Sequence, residues 1–420
     1  MNEIRKTTLE NGIRIISKKF PYFRSVSMGV WVNAGARDET PAENGLSHFI
    51  EHMIFKGTQK RSAYQIAKEF DAIGGQSNAF TTMENTCYYA KVMDTHLDTM
   101  TDILLDIFLN SEFDAAEVER ERAVILQEVG MVEDTPDELI HILSGATFWG
   151  DHPLGRSILG TRENLLHFNS DGIKEFFHRF YQPDRIVVSA AGNVDHNRFV
   201  DLIGPALSSI KPGNGFPERT APAGRVCVES HYRQLEQTHI CAGTRGLSIT
   251  DPKRFVFSLM NTILGGNMSS RLFQEIRERQ GLAYSVYSFT SSHVDTGMFG
   301  VYAGVEPKRA LEATVLILKE LKILKEDLVD QSELADAKEF TKGNLFLASE
   351  SLDNQMVRIA QNEIHFEEFI PLEAVVEKIE AVTSEEIRDL AIELFNPDQL
   401  ALTLLGPITD KAPYDDLLSL

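Results

Sequence analysis

Residues 211–224 read Lys-Pro-Gly-Asn-Gly-Phe-Pro-Glu-Arg-Thr-Ala-Pro-Ala-Gly, with three prolines and three glycines in fourteen positions. Proline offers no backbone donor and glycine loses the most freedom on ordering, so this stretch favours neither helix nor strand and reads as a linker. It lies at the midpoint of 420 residues. A single hydrophobic core stops growing near roughly 250–300 residues, so two domains are expected, 1–210 and 225–420.

A linker at the midpoint invites a search for duplication. Asn33-Ala34-Gly35-Ala36-Arg37 is matched by Cys241-Ala242-Gly243-Thr244-Arg245 at an offset of 208, each read as a strand end before a polar loop and an apolar helix. Ala190-Ala191-Gly192-Asn193 and Leu404-Leu405-Gly406-Pro407 both read as strand closures. Apolar strand signals occur at 13–16 and 25–32, alternation of apolar and polar residues predicts strands at 76–83 and 85–92, and 185–191 reads as a buried strand. A period near 3.6 predicts helices at 45–55, 62–73, 96–109, 115–132, 137–149, 170–181, 195–207 and 309–324. The mixture is α+β: two homologous domains, each a mainly antiparallel sheet with packed helices.

Composition narrows the function. Of the residues, 43% are hydrophobic and 25% charged, which suits a globular chain and excludes disorder and fibrous repeats. The net charge of −21 argues against nucleic acid, whose phosphates need a basic surface. It leaves room for peptide partners, basic ones in particular. No run of 18 apolar residues occurs, so no membrane span is expected, and the N-terminal residues resemble neither a secretory signal nor a transit peptide. Cys87, Cys227 and Cys241 form no CxxC and read as buried small residues of a reducing compartment. A cytoplasmic location follows as the expectation.

The chemistry concentrates in His48-Phe49-Ile50-Glu51-His52. Histidines at i and i+4 share a helical face, with Cβ atoms about 5–6 Å apart, close enough for both imidazoles to reach one metal ion. Glu51 flanks the same face, where it can take a proton from a water. At an offset of 208, Val256, Leu259 and Met260 stand opposite His48, Glu51 and His52, so the second copy lacks the ligands. A catalytic zinc takes three protein ligands and keeps a fourth position open. The helix at 115–132 offers Glu117, Glu119, Glu121 and Glu128, with Glu133 just beyond. Glu121 and Glu128, seven apart, share one face, and spacing alone does not choose between them.

The phrase Gly45-Leu46-Ser47-His48-Phe49-Ile50-Glu51-His52-Met53-Ile54-Phe55-Lys56-Gly57 and the run Glu121-Arg122-Ala123-Val124-Ile125-Leu126-Gln127-Glu128 resemble the pitrilysin-type (M16) metallopeptidases. The resemblance is greatest to the short-chain branch of mitochondrial processing peptidase β-subunits and their bacterial homologues. It spans essentially the whole chain, including Pro153-Leu154-Gly155-Arg156-Ser157-Ile158-Leu159-Gly160 and Ser270-Arg271-Leu272-Phe273. It implies one zinc per chain on His48, His52 and Glu128, Glu51 as general base, and Glu121 as the acid supporting the site. It implies that Asn78, Ala79, Phe80 and Thr81 belong to an edge strand that takes up a peptide substrate. Arg277 and Tyr284 match a pair that contacts the substrate carbonyl, reaching it from a partner's C-terminal half. The two domains form half of a clam-shell chamber in the family, so a homodimer is expected. The glycine-rich loop of the inactive processing-peptidase subunit is only echoed by Gly265-Gly266, which leaves presequence specificity without support. The expected activity is zinc-dependent hydrolysis of short or unfolded peptides. The alternatives are a non-catalytic structural subunit of the same fold, and a zinc hydrolase acting on a non-peptide substrate.

Overall fold

The computed structural model describes residues 4–213 and 215–419. In chain order the first part forms β1 (Ile4–Thr8), β2 (Arg14–Lys19), β3 (Ser25–Val32), α1 (Leu46–Met53), α2 (Ala63–Ala72), β4 (Gln76–Thr81), β5 (Thr86–Met93), α3 (Leu97–Asn110), α4 (Ala115–Glu133), α5 (Pro136–Trp149) and β6 (Ile186–Gly192). The second part supplies β7 (Cys227–Tyr232), β8 (Thr238–Gly246), β9 (Ala283–Ser292), β10 (Gly297–Val305) and β11 (Ala401–Gly406), among further helices. Most of the segments expected from periodicity form within two residues of their expected ends; the strand at 13–16 extends to Lys19 as β2. β1, which runs antiparallel to β2, adds an edge strand before it.

The strands form two sheets, ordered β1-β2-β6-β3-β5-β4 and β7-β11-β8-β10-β9. In each, one pair is parallel (β2 with β6, β7 with β11) and the remaining pairs are antiparallel. Apart from β1, the second sheet repeats the first strand for strand. A shared backbone device closes the two central strands. Gly192 and Gly406 both have positive φ, 135° and 158°, and a Cβ on either would strike the neighbouring strand, at Ser25 O (2.3 Å) and Thr238 Cα (2.9 Å) respectively.

The ladders correct one detail of the duplication. Val26 lies beside Gly192 in the first sheet and Thr238 beside Gly406 in the second, so β3 and β8 correspond at an offset of 212 and β6 and β11 at 214. Cys241 to Arg245 form the end of β8, as expected, whereas Asn33 to Arg37 follow the end of β3 at Val32. Thirteen residues separate β3 from α1, and seven separate β8 from the helix Arg254–Gly265, so no single offset aligns both strand and helix. That helix, Arg-Phe-Val-Phe-Ser-Leu-Met-Asn-Thr-Ile-Leu-Gly, contains no histidine and no acid, so it lacks the counterparts of His48, Glu51 and His52 in any register.

Both sheets are covered on both faces, which is why β3 and β6 read as almost unbroken apolar runs. On one face of the first sheet Val26, Met28, Val30 and Val32 join the core built with α1 and α3. On the other, Trp31 packs with Met356, Ile359 and Ala360 of the helix Leu352–Phe366. Gly29 lies beneath that helix, and a Cβ there would come within 2.6 Å of Met356 Sδ. In the second sheet Cys241, Tyr302 and Leu405 pack with Leu139 and Ile140 of α5. Compact grouping follows these covers rather than one cut in the chain. One unit ends its first stretch at Gly130 and adds Arg156–Glu218 and Leu347–Phe369; the other takes Met131–Gly155, Arg219–Phe346 and the chain from Ile370. The contiguous division into 1–210 and 225–420 therefore misses two exchanged segments. Of 211–224, Asn214 lies outside the described residues and the remainder carries no helix or strand.

The glycine closures make a comparative prediction. Gly192→Ala combines positive φ with a backbone clash and should lose about 3 kcal/mol or more of stability. Gly74→Ala also sits at positive φ (61°) but meets nothing within 4 Å, and should lose about 1 kcal/mol. Urea unfolding of the two variants tests the ranking, and equal midpoints would contradict it.

Candidate metal centre

α1 is amphipathic with its two faces fully specified. Leu46, Phe49, Ile50 and Met53 are buried at i, i+3, i+4 and i+7, while His48, Glu51 and His52 share the opposite side. The helix starts at Gly45, whose φ of 106° places it in the left-handed region. A Cβ on Gly45 would come within 2.9 Å of Gly160 Cα, and one on Gly160 within 2.5 Å of Asn44 O. Two glycines thus let the loop ending in Gly160 pass directly against the start of α1. Glu39 completes the anchor: its carboxylate accepts from Gly45 N (2.8 Å), Ser47 N (2.7 Å) and Asn44 Nδ2 (3.1 Å). Burial pushes its pKa up to about 7 even though these donors oppose the shift.

His48, His52 and Glu128 each offer one ligand atom, all within 4.8 Å of one another, and no other such group of three occurs among the described residues. Glu128 Oε2 lies 3.6 Å from His48 Nε2 and 3.5 Å from His52 Nε2. The imidazole centroids are 4.8 Å apart. Burial, reinforced by His52, pushes the His48 pKa down to about 4, so its ring is neutral and its nitrogen lone pair free near neutral pH. Two imidazole nitrogens and a carboxylate are a donor set suited to zinc.

Glu121, also on α4, faces the other nitrogen of His52. Its Oε2 lies 3.1 Å from His52 Nδ1 and its Oε1 2.6 Å from Lys56 Nζ, while the residue is 6% exposed. An ionised carboxylate only accepts, so His52 donates from Nδ1 and turns the lone pair of Nε2 towards Glu128. Glu51 projects towards Thr81, at the end of β4. Its Oε2 is buried with no hydrogen-bond partner, as is His48 Nδ1. Burial raises the Glu51 pKa; Thr81 and His52 oppose that shift and Glu128 adds to it. β4 is the edge of its sheet, with Asn78 exposed and Ala79, Phe80 and Thr81 half-buried. Phe80 packs edge-on against Trp31 at 5.4 Å between centroids.

Arg277 and Tyr284 belong to the second unit, where they meet each other. The guanidinium of Arg277 sits 5.1 Å from the Tyr284 ring centroid and 4.6 Å from that of Phe273. Tyr284 is 80% exposed, which is not the exposure of a core tyrosine. Arg277 lies in a π-helical segment, Phe273–Arg279, a distortion often found at functional sites. Glu39 and Lys56 were not singled out from sequence. Lys56 had a usable signal, since it stands four residues beyond His52 on the same helical side; Glu39 had none.

The depressed His48 pKa makes acid stability of the metal-free protein testable. Below about 6.5 the unfolded chain binds this proton and the folded chain does not, so stability is lost as the pH falls from about 6.5 towards 4, by up to about 3 kcal/mol. His48→Gln should remove this part of the slope in urea titrations of chelator-treated protein. Parallel pH profiles for the two proteins would contradict it.

Comparison with known proteins supplies the family. Residues 14–162 match the model of insulinase (peptidase family M16), and residues 167–340 match that of the peptidase M16 inactive domain. An uncharacterized zinc protease of Bacillus subtilis is 41% identical over 96% of this chain and 98% of its own length. One from Streptomyces coelicolor is 40% identical over 97% and 90%. A protease from Helicobacter pylori has the same fold, with a TM-score of 0.90 at 21% identity over 97% of this chain and all of its own. Two family models that together cover most of the chain, and relatives aligned nearly end to end, place it: the chain belongs to peptidase family M16.

Proposed function

We propose that the chain is a zinc-dependent endopeptidase that hydrolyses peptide bonds in short or unfolded peptides. His48, His52 and Glu128 hold one zinc per chain, Glu51 is the general base, and Glu121 orients His52. The observation that carries this reading is the buried Glu51 oxygen without a donor, on the same face of α1 as both imidazoles. The names of the two bacterial relatives, both zinc proteases, support the same reaction class. A bound zinc supplies Lewis-acid polarisation of a carbonyl and brings the pKa of a water down towards about 7.

The protein's own groups supply position and proton handling. A substrate peptide pairs its backbone with the open edge of β4, and Asn78 and Phe80 alternate with Ala79 and Thr81 along that edge. Thr81 brings the end of the strand beside Glu51, so the scissile bond comes to rest next to the base. Glu51 takes the proton of the attacking water and delivers it to the leaving amine. Its raised pKa suits a group that must both accept and release a proton. Arg277 and Tyr284 contact the substrate carbonyl from the partner copy of a homodimer, in a cytoplasmic, processing-peptidase-like enzyme. The charge of −21 favours basic peptides.

A quenched fluorescent peptide tests the reaction. Glu51→Gln should lower kcat by about 10²–10⁴-fold with zinc content unchanged, and 1,10-phenanthroline should abolish cleavage. Metal should be lost from Glu128→Gln and kept by Glu121→Gln at saturating zinc. Cleavage that survives in Glu51→Gln, or that ignores the chelator, rejects the assignment. At low salt Arg/Lys-rich peptides should be cleaved faster than neutral ones, and high salt should erase the difference; equal rates at both salt levels reject the charge preference.

A further inference from the structure

The site contains a cation that the reaction described above does not use. Lys56 closes the 3-10 turn Ile54–Lys56 that continues α1, so it stands one turn beyond His52 on the same side. Gly57 follows with a φ of 134°, a conformation that favours glycine, and its carbonyl accepts from Glu112 N at 3.1 Å. The backbone carrying Lys56 is therefore fixed at both ends. Its ammonium reaches Glu121 Oε1 at 2.6 Å, while Glu121 Oε2 lies 3.1 Å from His52 Nδ1. The side chain of Lys56 is 30% exposed and that of Glu121 only 8%, so the carboxylate is the buried partner.

We propose that Lys56 is a positioning residue of the metal site, acting through Glu121 to set the tautomer and orientation of His52. The inference rests on the reading of His48, His52 and Glu128 as zinc ligands. Three carboxylates, Glu51, Glu121 and Glu128, crowd two imidazoles, and Lys56 is the cation joined to one of them. With the ammonium in place, one oxygen of Glu121 is occupied and the other is aimed at His52 Nδ1. His52 then carries its proton on Nδ1 and presents Nε2 as the donor atom beside Glu128. Without the ammonium, a buried carboxylate is left uncompensated, and it turns towards water. That movement releases His52 to exchange tautomers, and the donor atom is then correct for only part of the population. Lysine acts here as a point charge, so arginine should substitute where it can reach, and an uncharged isostere should not.

The test uses the full-length protein and needs no substrate. Zinc affinity is measured by competition with a chromophoric chelator for the wild type, Lys56→Met and Lys56→Arg. Lys56→Met should bind zinc about 10–100-fold more weakly, the effect typical of losing an outer partner of a metal ligand, and Lys56→Arg should recover most of the loss. Nitrogen-15 spectra of histidine-labelled, metal-free protein read the tautomer directly: His52 should be Nδ1-protonated in the wild type and a mixture in Lys56→Met. Zinc affinity of Lys56→Met within twofold of the wild type, or an unchanged His52 tautomer, overturns the proposal. So does a loss of thermal stability with both readouts unmoved, which is the mark of a purely structural ion pair. If instead the wild type shows no zinc affinity that His48→Ala or Glu128→Gln reduces, the ligand assignment fails, a result distinct from failure of the Lys56 inference.

Discussion

The burial of two imidazoles and a carboxylate on one face of an eight-residue helix governs what surrounds it. Such groups lose water when they are enclosed, and each needs a partner or a change of protonation state. His48 meets the demand by staying neutral. His52 meets it with a hydrogen bond to Glu121, and Glu121 in turn with Lys56. The helix is too short to hold its own orientation, so Glu39 and the Gly45–Gly160 contact fix where it begins. The motif Pro153-Leu154-Gly155-Arg156-Ser157-Ile158-Leu159-Gly160 finds its physical role here. Gly160 gives close backbone approach, and Arg156 Nη1 donates to the carbonyl of the Glu39 that caps the helix.

Much of this was legible because local rules and tertiary packing agree. β3 and α4 are legible in the sequence to within a residue, and both are long elements. HxxEH located the helix whose one face carries His48, Glu51 and His52, because i and i+4 spacing fixes a shared face wherever that helix goes. The choice between Glu121 and Glu128 was closed to spacing arithmetic, for both lie on one side of α4 two turns apart. What separates them is which end of the His52 ring each one reaches: Nε2 for Glu128, Nδ1 for Glu121. That depends on how α4 crosses α1, a tertiary fact without a sequence period.

Other features were hidden for the same kind of reason. The helix Leu352–Phe366 covers one face of the first sheet, and α5 covers one face of the second, although each is distant along the chain from most of the strands it packs on. The trace they leave in sequence is indirect: strands apolar on both faces, and a glycine such as Gly29 where a side chain from the cover must pass. The duplication was visible in its glycine strand closures but misplaced in register. Loops of thirteen and seven residues between strand and helix defeat any fixed offset, whereas the hydrogen-bonded ladders do not change.

The two units show what separates a fold from a site. Their sheets repeat strand for strand, and each places a helix after the corresponding central strand. In the second unit that helix buries Val256, Leu259 and Met260, with Leu259 and Met260 fully enclosed. Those three side chains serve packing, and they ask only apolar surface of their neighbours. In the first, the helix keeps its apolar stripe at Leu46, Phe49, Ile50 and Met53 and gives the other face to His48, Glu51 and His52. That second face is stable only with a surrounding set of charges drawn from α4 and the turn after α1. A helix without His48, Glu51 and His52 therefore has no demand for Glu121 and Lys56. A copy released from that demand can fill the corresponding face with apolar side chains, as Val256, Leu259 and Met260 do in Arg254–Gly265.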